Sequence, residues 1–108
     1  MRSDQFPVSV YLYETEGMWI AQGLEYDIVA RGSTSQEASK NFNQKFGAEL
    51  IMSMELQDPA PLSGVPRAPR EFWDRYDAII KRADIDESEI EVGNGQISHV
   101  QKRIKIAA

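Results

Sequence analysis

Residues 8–13, Val-Ser-Val-Tyr-Leu-Tyr, alternate with a period of two, so that Val8, Val10 and Leu12 share one face of an extended segment and Tyr11 and Tyr13 the other. This is the pattern of a strand, and the tyrosines predict that its second face is half covered. Glu14-Thr15-Glu16-Gly17 follows as a hairpin turn, because Gly17 has no Cβ to oppose a positive φ. Met18-Trp19-Ile20-Ala21 reads as the returning strand and Tyr26-Asp27-Ile28-Val29-Ala30 as a third, completing an antiparallel meander.

The period then changes. Gly32-Ser33-Thr34 closes the meander, and Thr34 followed by Glu37 is a capping-box pattern whose loss costs about 1 kcal/mol. From Ser35 to about Glu55 there is no proline, and Ala38, Phe42, Phe46, Leu50, Ile51 and Met54 recur at helical spacing. This helix is predicted to lie across the meander and bury Phe42 and Phe46. Gly47 lowers helix propensity by about 1 kcal/mol relative to Ala, which predicts a packing reason or a local bend there.

A break follows. Pro59, Pro61, Pro66 and Pro69, with Gly64, make residues 57–69 a turn-rich linker rather than a regular element. Pro69 suits the first turn of a second helix, where its missing N–H costs nothing. Phe72, Trp73, Tyr76, Ile79, Ile80 and Ala83 then fall at helical spacing, which predicts a helix over 70–83. The acidic stretch 84–89 leads to Ile90-Glu91-Val92, and Asn94-Gly95 is a strong hairpin signal that pairs 89–92 with 96–106. On the last strand Val100, Ile104 and Ile106 share a face that Lys102 interrupts. The predicted fold class is α+β. One domain over 1–108, with its core in 6–56, carries a three-stranded antiparallel meander under a long helix (β-β-β-α), then the second helix and a C-terminal hairpin.

Composition narrows the function. A chain of 108 residues with 42% hydrophobic content can bury a core of its own. Its net charge of −5 argues against binding nucleic acid or anionic membranes through a general excess of cations. The absence of cysteine excludes a disulfide framework, a Cys-zinc site and thiol catalysis. The polar start Met1-Arg2-Ser3-Asp4-Gln5 is no signal peptide, and no run approaches the roughly 18–20 apolar residues of a membrane span, so a cytoplasmic location is expected.

The charge is unevenly placed. Residues 1–58 hold four basic groups against nine acidic ones, whereas 59–108 hold eight of each. Glu14, Glu16, Glu25 and Asp27 fall at the loops of the meander. They form either a solvated rim or a patch for a basic partner, which would speed encounter more than it deepens affinity. Phe72, Trp73 and Tyr76 likewise carry two readings: core packing beneath the second helix, or a surface for self-association or a partner. Lys102, Arg103 and Lys105 read as protection of a strand edge or, less simply, as phosphate contacts.

Residues 16–38, from Glu16-Gly17-Met18-Trp19 through Gly32-Ser33-Thr34-Ser35-Gln36-Glu37-Ala38, resemble the signature of HicB-like domains. The likeness covers roughly residues 8–56, and Gly32 to Ala38 is its sharpest part. Pro66-Arg67-Ala68-Pro69 with Phe72-Trp73 is similar to stand-alone members. The resemblance implies a truncated RNase H-like β-β-β-α-β domain that self-associates as a homodimer. It also implies an antitoxin role: binding and blocking HicA, a small basic mRNA-cleaving toxin. Many HicB antitoxins add a helix-turn-helix or ribbon-helix-helix, and neither fits a single helix at 70–83 followed by a hairpin, so direct nucleic-acid binding is not expected.

No catalytic centre, cofactor site or metal site is expected. Two-metal phosphodiester hydrolysis needs converging carboxylates, and RNase H enzymes resembling this fold carry an Asp in the middle of the first strand, where residues 8–13 have no acid. His99 is the only histidine, so no His cluster exists, and its place beside Ser98 and Val100 on a predicted strand suits a solvent-facing structural residue. Ser33, Thr34 and Ser35 have no paired base, and capping accounts for Thr34. The sequence therefore points to a non-catalytic protein that sequesters a basic partner. The alternatives are a nucleic-acid-binding transcriptional regulator and an enzyme with a pocket of unrecognised type.

Overall fold

The computed structural model describes residues 6–55, 62, 64–79, 89–90 and 100–106. In chain order the elements are β1 (Phe6–Thr15), β2 (Met18–Gly23), β3 (Val29–Gly32), α1 (Ser35–Glu55), α2 (Arg70–Asp77), β4 (Glu89–Ile90) and β5 (Val100–Ile106). The fold is α+β, as expected: three strands, a long helix, a second helix and a C-terminal strand. The strands form one mixed sheet in the order β3-β2-β1-β5-β4.

The meander is antiparallel throughout, with Tyr13 opposite Ile20 and Ala21 opposite Ala30. β5 then joins the same sheet on the far side of β1 and runs parallel to it, Val10 opposite Ile104. Two residues of the predicted hairpin partner pair antiparallel with β5, Glu89 opposite Gln101 and Ile90 opposite Val100. Asn94-Gly95 and His99 lie outside the described residues, as do the predicted helix positions beyond Ile79.

Because successive side chains of a strand point to opposite faces, β1 serves two layers. Val8, Val10 and Leu12 face α1 and pack with Ala38, Phe42, Phe46, Leu50 and Ile104. Phe42 and Phe46 are fully buried and stacked at 5.8 Å between ring centroids, as the helical spacing predicts. Tyr11 and Tyr13 face the other way, onto α2, where Leu24, Ala68, Phe72, Trp73, Tyr76 and Ile79 complete a second, aromatic cluster. Stacking runs continuously from Tyr11 to Tyr13 (5.3 Å) and on to Phe72 (6.0 Å).

Several boundaries differ from the sequence expectation. The third strand begins at Val29 rather than Tyr26, because residues 24–28 are tied up in a loop. Gly23 N–H donates to Ile28, Ile28 N–H to Tyr26, and Asp27 N–H to the Pro66 carbonyl. The second helix ends at Asp77, short of the expected 70–83. There Ile79 N–H donates to Tyr76 and the Ile79 side chain turns onto the aromatic cluster. Pro69 is the residue just before that helix, with extended ψ of 149°, rather than part of its first turn. The connector also contributes to the core: Leu62 is buried beneath α1, its N–H held by Ser53 Oγ at 2.8 Å.

The start of α1 follows the predicted cap with one shift. Thr34 Oγ1 accepts from Glu37 N–H at 3.0 Å, but the Glu37 carboxylate returns to Ser33, accepting from its N–H and its hydroxyl, rather than to Thr34. These two hydrogen bonds, the backbone one first, hold the Glu37 carboxyl below its ordinary pKa. Gly32 is the hinge of this turn, since a Cβ there would strike the Ala38 amide nitrogen and come within 2.8 Å of the Glu37 carbonyl carbon.

Gly47 has no comparable reason. A Cβ there meets nothing within 4 Å, so the expected packing constraint is absent. The two glycines should therefore respond oppositely to alanine in urea denaturation. Gly32→Ala should lose roughly 1–3 kcal/mol through overpacking against backbone, and Gly47→Ala should gain about 0.5–1 kcal/mol. The cap should also carry a pH signature. A carboxyl whose pKa falls on folding stabilises above its unfolded value, near 4.5 for Glu37, and that contribution fades as pH drops through the folded value. Melting curves of Glu37→Gln should accordingly show a shallower loss of Tm below about pH 4.5 than those of the native chain.

Candidate partner-binding surface

The four acidic residues of the meander do not form one patch. Successive turns of a meander lie at opposite ends of its sheet, so Glu14 and Glu16 sit at one end of β2 and Glu25 and Asp27 at the other. Six residues of strand separate them, roughly 20 Å at about 3.3 Å per residue.

Glu25 and Asp27 hold the fold together. β2 stops pairing at Gly23, opposite Val10, which leaves the Ser9 N–H without a strand partner on that side. Glu25 fills the gap: one carboxylate oxygen accepts from Ser9 N–H at 2.7 Å and the other from Ser9 Oγ at 2.9 Å. Ser9 is 7% exposed, so these groups have little water to turn to. Asp27 accepts from the amide of buried Gln22 at 2.8 Å, which also donates to the Gly23 carbonyl. The backbone completes the arrangement, with Leu24 N–H on the Ser9 carbonyl and Ala68 N–H on the Leu24 carbonyl. The loop thus anchors the connector that leads into α2. Glu25 and Asp27, read from sequence as candidate partner contacts, thus carry a structural role, Glu25 half-buried and Asp27 exposed.

The other end is different. Glu14 and Glu16 are exposed at the tip of the β1–β2 hairpin. Thr15 pairs with Met18, so the loop is only Glu16-Gly17, and both take positive φ, 51° and 78°. Such a two-residue turn favours Asn-Gly or Gly-Gly, and a side chain such as Glu is held there at a cost of roughly 1–2 kcal/mol. Beside it Met18 is 40% exposed, one of two large hydrophobic side chains so placed among the described residues. Thr15, Glu16, Met18, Ile20 and Arg31 line a shallow pocket of about 270 Å³. The roles of Met18, Ile20 and Arg31 were not anticipated from sequence. The signal was present in the register, because a strand pair closing at Thr15 and Met18 puts Ile20 and Tyr13 on one face and forces Glu16 into the left-handed region.

The aromatic residues of α2 are mostly spent within the chain. Tyr76 is buried, with Lys105 Nζ 4.5 Å from its ring centroid. Phe72 and Trp73 are half-buried and flanked by the guanidinium groups of Arg75 (5.6 Å) and Arg67 (4.3 Å). Burial raises the Tyr13 phenol above its ordinary pKa of 10.0, against the opposing pull of Arg75. Core packing, the first of the two readings, accounts for Tyr76, and only the outer edges of Phe72 and Trp73 remain for contact. β4 pairs with β5 only at Val100 and Gln101, and the parallel pairing of β5 with β1 brings Lys105 to the ring of Tyr76.

Among the described residues no three His, Asp or Glu side chains gather as a metal-binding group, and no helix is long and apolar enough to cross a membrane. No protein-family model matches the chain, and neither a curated protein nor a solved structure does.

The two ends of β2 should separate in a stability assay. Glu25→Ala leaves the Ser9 N–H without an acceptor and should cost roughly 1–3 kcal/mol by urea denaturation. Glu16→Asn restores the preferred turn pair and should stabilise by about 0.5–1 kcal/mol.

Proposed function

We propose that this chain is a non-catalytic binding protein of the HicB-like kind, acting in the cytoplasm. Its β1–β2 hairpin tip docks on a small basic protein, of which a HicA-type mRNA interferase is the leading example. The partner is blocked by occlusion of its cationic surface, with no bond made or broken by this chain. The observation that carries the reading is the conformation of Glu16. An acidic residue occupies a left-handed turn position that favours Asn or Gly, at an exposed tip and beside the exposed Met18. Local rules broken without structural gain point to function.

Two further features support it. The element order β-β-β-α, with the glycine-launched helix at Gly32, agrees with the resemblance of residues 16–38 to HicB-like domains. The tip also combines what a protein interface uses: carboxylates to steer a basic partner and an apolar anchor, Met18, beside a pocket of about 270 Å³. That volume lies below the roughly 300–1,000 Å³ of small-molecule sites.

The test is calorimetric titration of a purified HicA-type toxin with the native chain and with a Glu14→Lys/Glu16→Lys variant. The variant should bind at least about tenfold more weakly, with a steeper loss at low ionic strength and an unchanged melting temperature. Equal affinity for the two proteins, or no heat with the native chain, would remove the proposal.

A further inference from the structure

We propose that Asn41 and Lys45 of α1 guard the outer edge of β3 against pairing with the same strand of a second copy of this chain. β3 ends the sheet, so one side of it has no neighbouring strand. Which groups face outward follows from the ladder. Gly23 N–H donates to the Ile28 carbonyl, and antiparallel pairs alternate between bonded and non-bonded. Ala21–Ala30 and Trp19–Gly32 are therefore the bonded pairs, and Val29 and Arg31 turn their backbone groups away from β2.

Both outward carbonyls are occupied from the helix. Lys45 Nζ donates to the Val29 carbonyl at 2.8 Å, and Asn41 Nδ2 donates to the Arg31 carbonyl at 2.7 Å. A carbonyl can only accept, which settles the orientation of the Asn41 amide. The match is one of periods. Residues four apart on a helix rise about 6 Å along one face, and residues two apart on a strand are about 6.7 Å apart. One helix face thus supplies two donors where a neighbouring strand would supply two N–H groups.

The occupied groups are those that a two-fold pairing of β3 would need. With the axis at Ala30, Val29 of one copy lies opposite Arg31 of the other, and the two residues would exchange N–H···O bonds. The strand Val29–Gly32 has no proline to prevent this. The Lys45 and Asn41 side chains that reach these carbonyls stand where the second strand would lie and so oppose it, and the positive charges of Lys45 and Arg31 would meet their counterparts across the axis.

The experiment compares the native chain, Asn41→Ala/Lys45→Ala and Lys45→Arg by light scattering over a concentration series, with amide hydrogen exchange followed on the same samples. Neither residue belongs to the buried core, so the double variant should keep the native helical signal. It should also show about twice the native mass at concentrations where the native chain does not change mass. Exchange at the Val29 and Arg31 amides should slow as it associates. Lys45→Arg keeps a donor and should behave as native. Unchanged mass in the double variant, added mass without slowed exchange at Val29 and Arg31, or loss of the helical signal would each overturn the proposal. The last result would make the pair a requirement of the fold rather than a guard.

Discussion

β1 has to satisfy neighbours in four directions at once, and the rest of the molecule is arranged around that demand. Its even-numbered side chains, Val8, Val10 and Leu12, are covered by α1, and Tyr11 and Tyr13 by α2. Its backbone is shared between antiparallel β2 and parallel β5. A slip of one residue would put tyrosines against Phe42 and Phe46 and valines against Trp73, so both faces select the same register. This over-determination explains why a chain of 108 residues can place a second helix and a returning strand on so small a meander.

The weak point of the arrangement is where β2 ends before β1 does. Below Gly23 the backbone of β1 has no antiparallel partner, and the loop 24–28 replaces it with a carboxylate and a run of backbone bonds. The same loop holds Pro66 and Ala68, which bring α2 to the tyrosine face. Acidity at this end is thus a structural material, bonded to Ser9 and Gln22. At the hairpin tip the acids carry no such bonds among those described, which is why the two pairs take different roles although their sequence surroundings look alike.

The open sides of the sheet are treated with equal economy. Side chains of α1 close the β3 edge, a task that asks nothing of the buried stripe Ala38, Phe42, Phe46 and Leu50. One helix therefore covers a face with its apolar stripe and an edge with its polar flank. The hairpin tip is left as the place where acid, exposed apolar surface and an unfavourable turn coincide, and the functional reading rests there.

Local pattern alone was enough for much of the fold. Period-two alternation marked β1, helical spacing and the Thr34–Glu37 cap marked α1, and the fold class followed, because these signals depend on neighbours a few residues apart. What it could not supply were relations across long stretches of chain. The parallel seat of β5 beside β1, the delayed start of β3 at Val29, and the Glu25 carboxylate on Ser9 all join residues many positions apart, and no local propensity encodes them. The four acids show the difference most plainly. Composition and spacing made them one group, but alternate turns of a meander point to opposite ends of a sheet, and only the folded chain divided them into two that hydrogen-bond within the structure and two at the exposed hairpin tip.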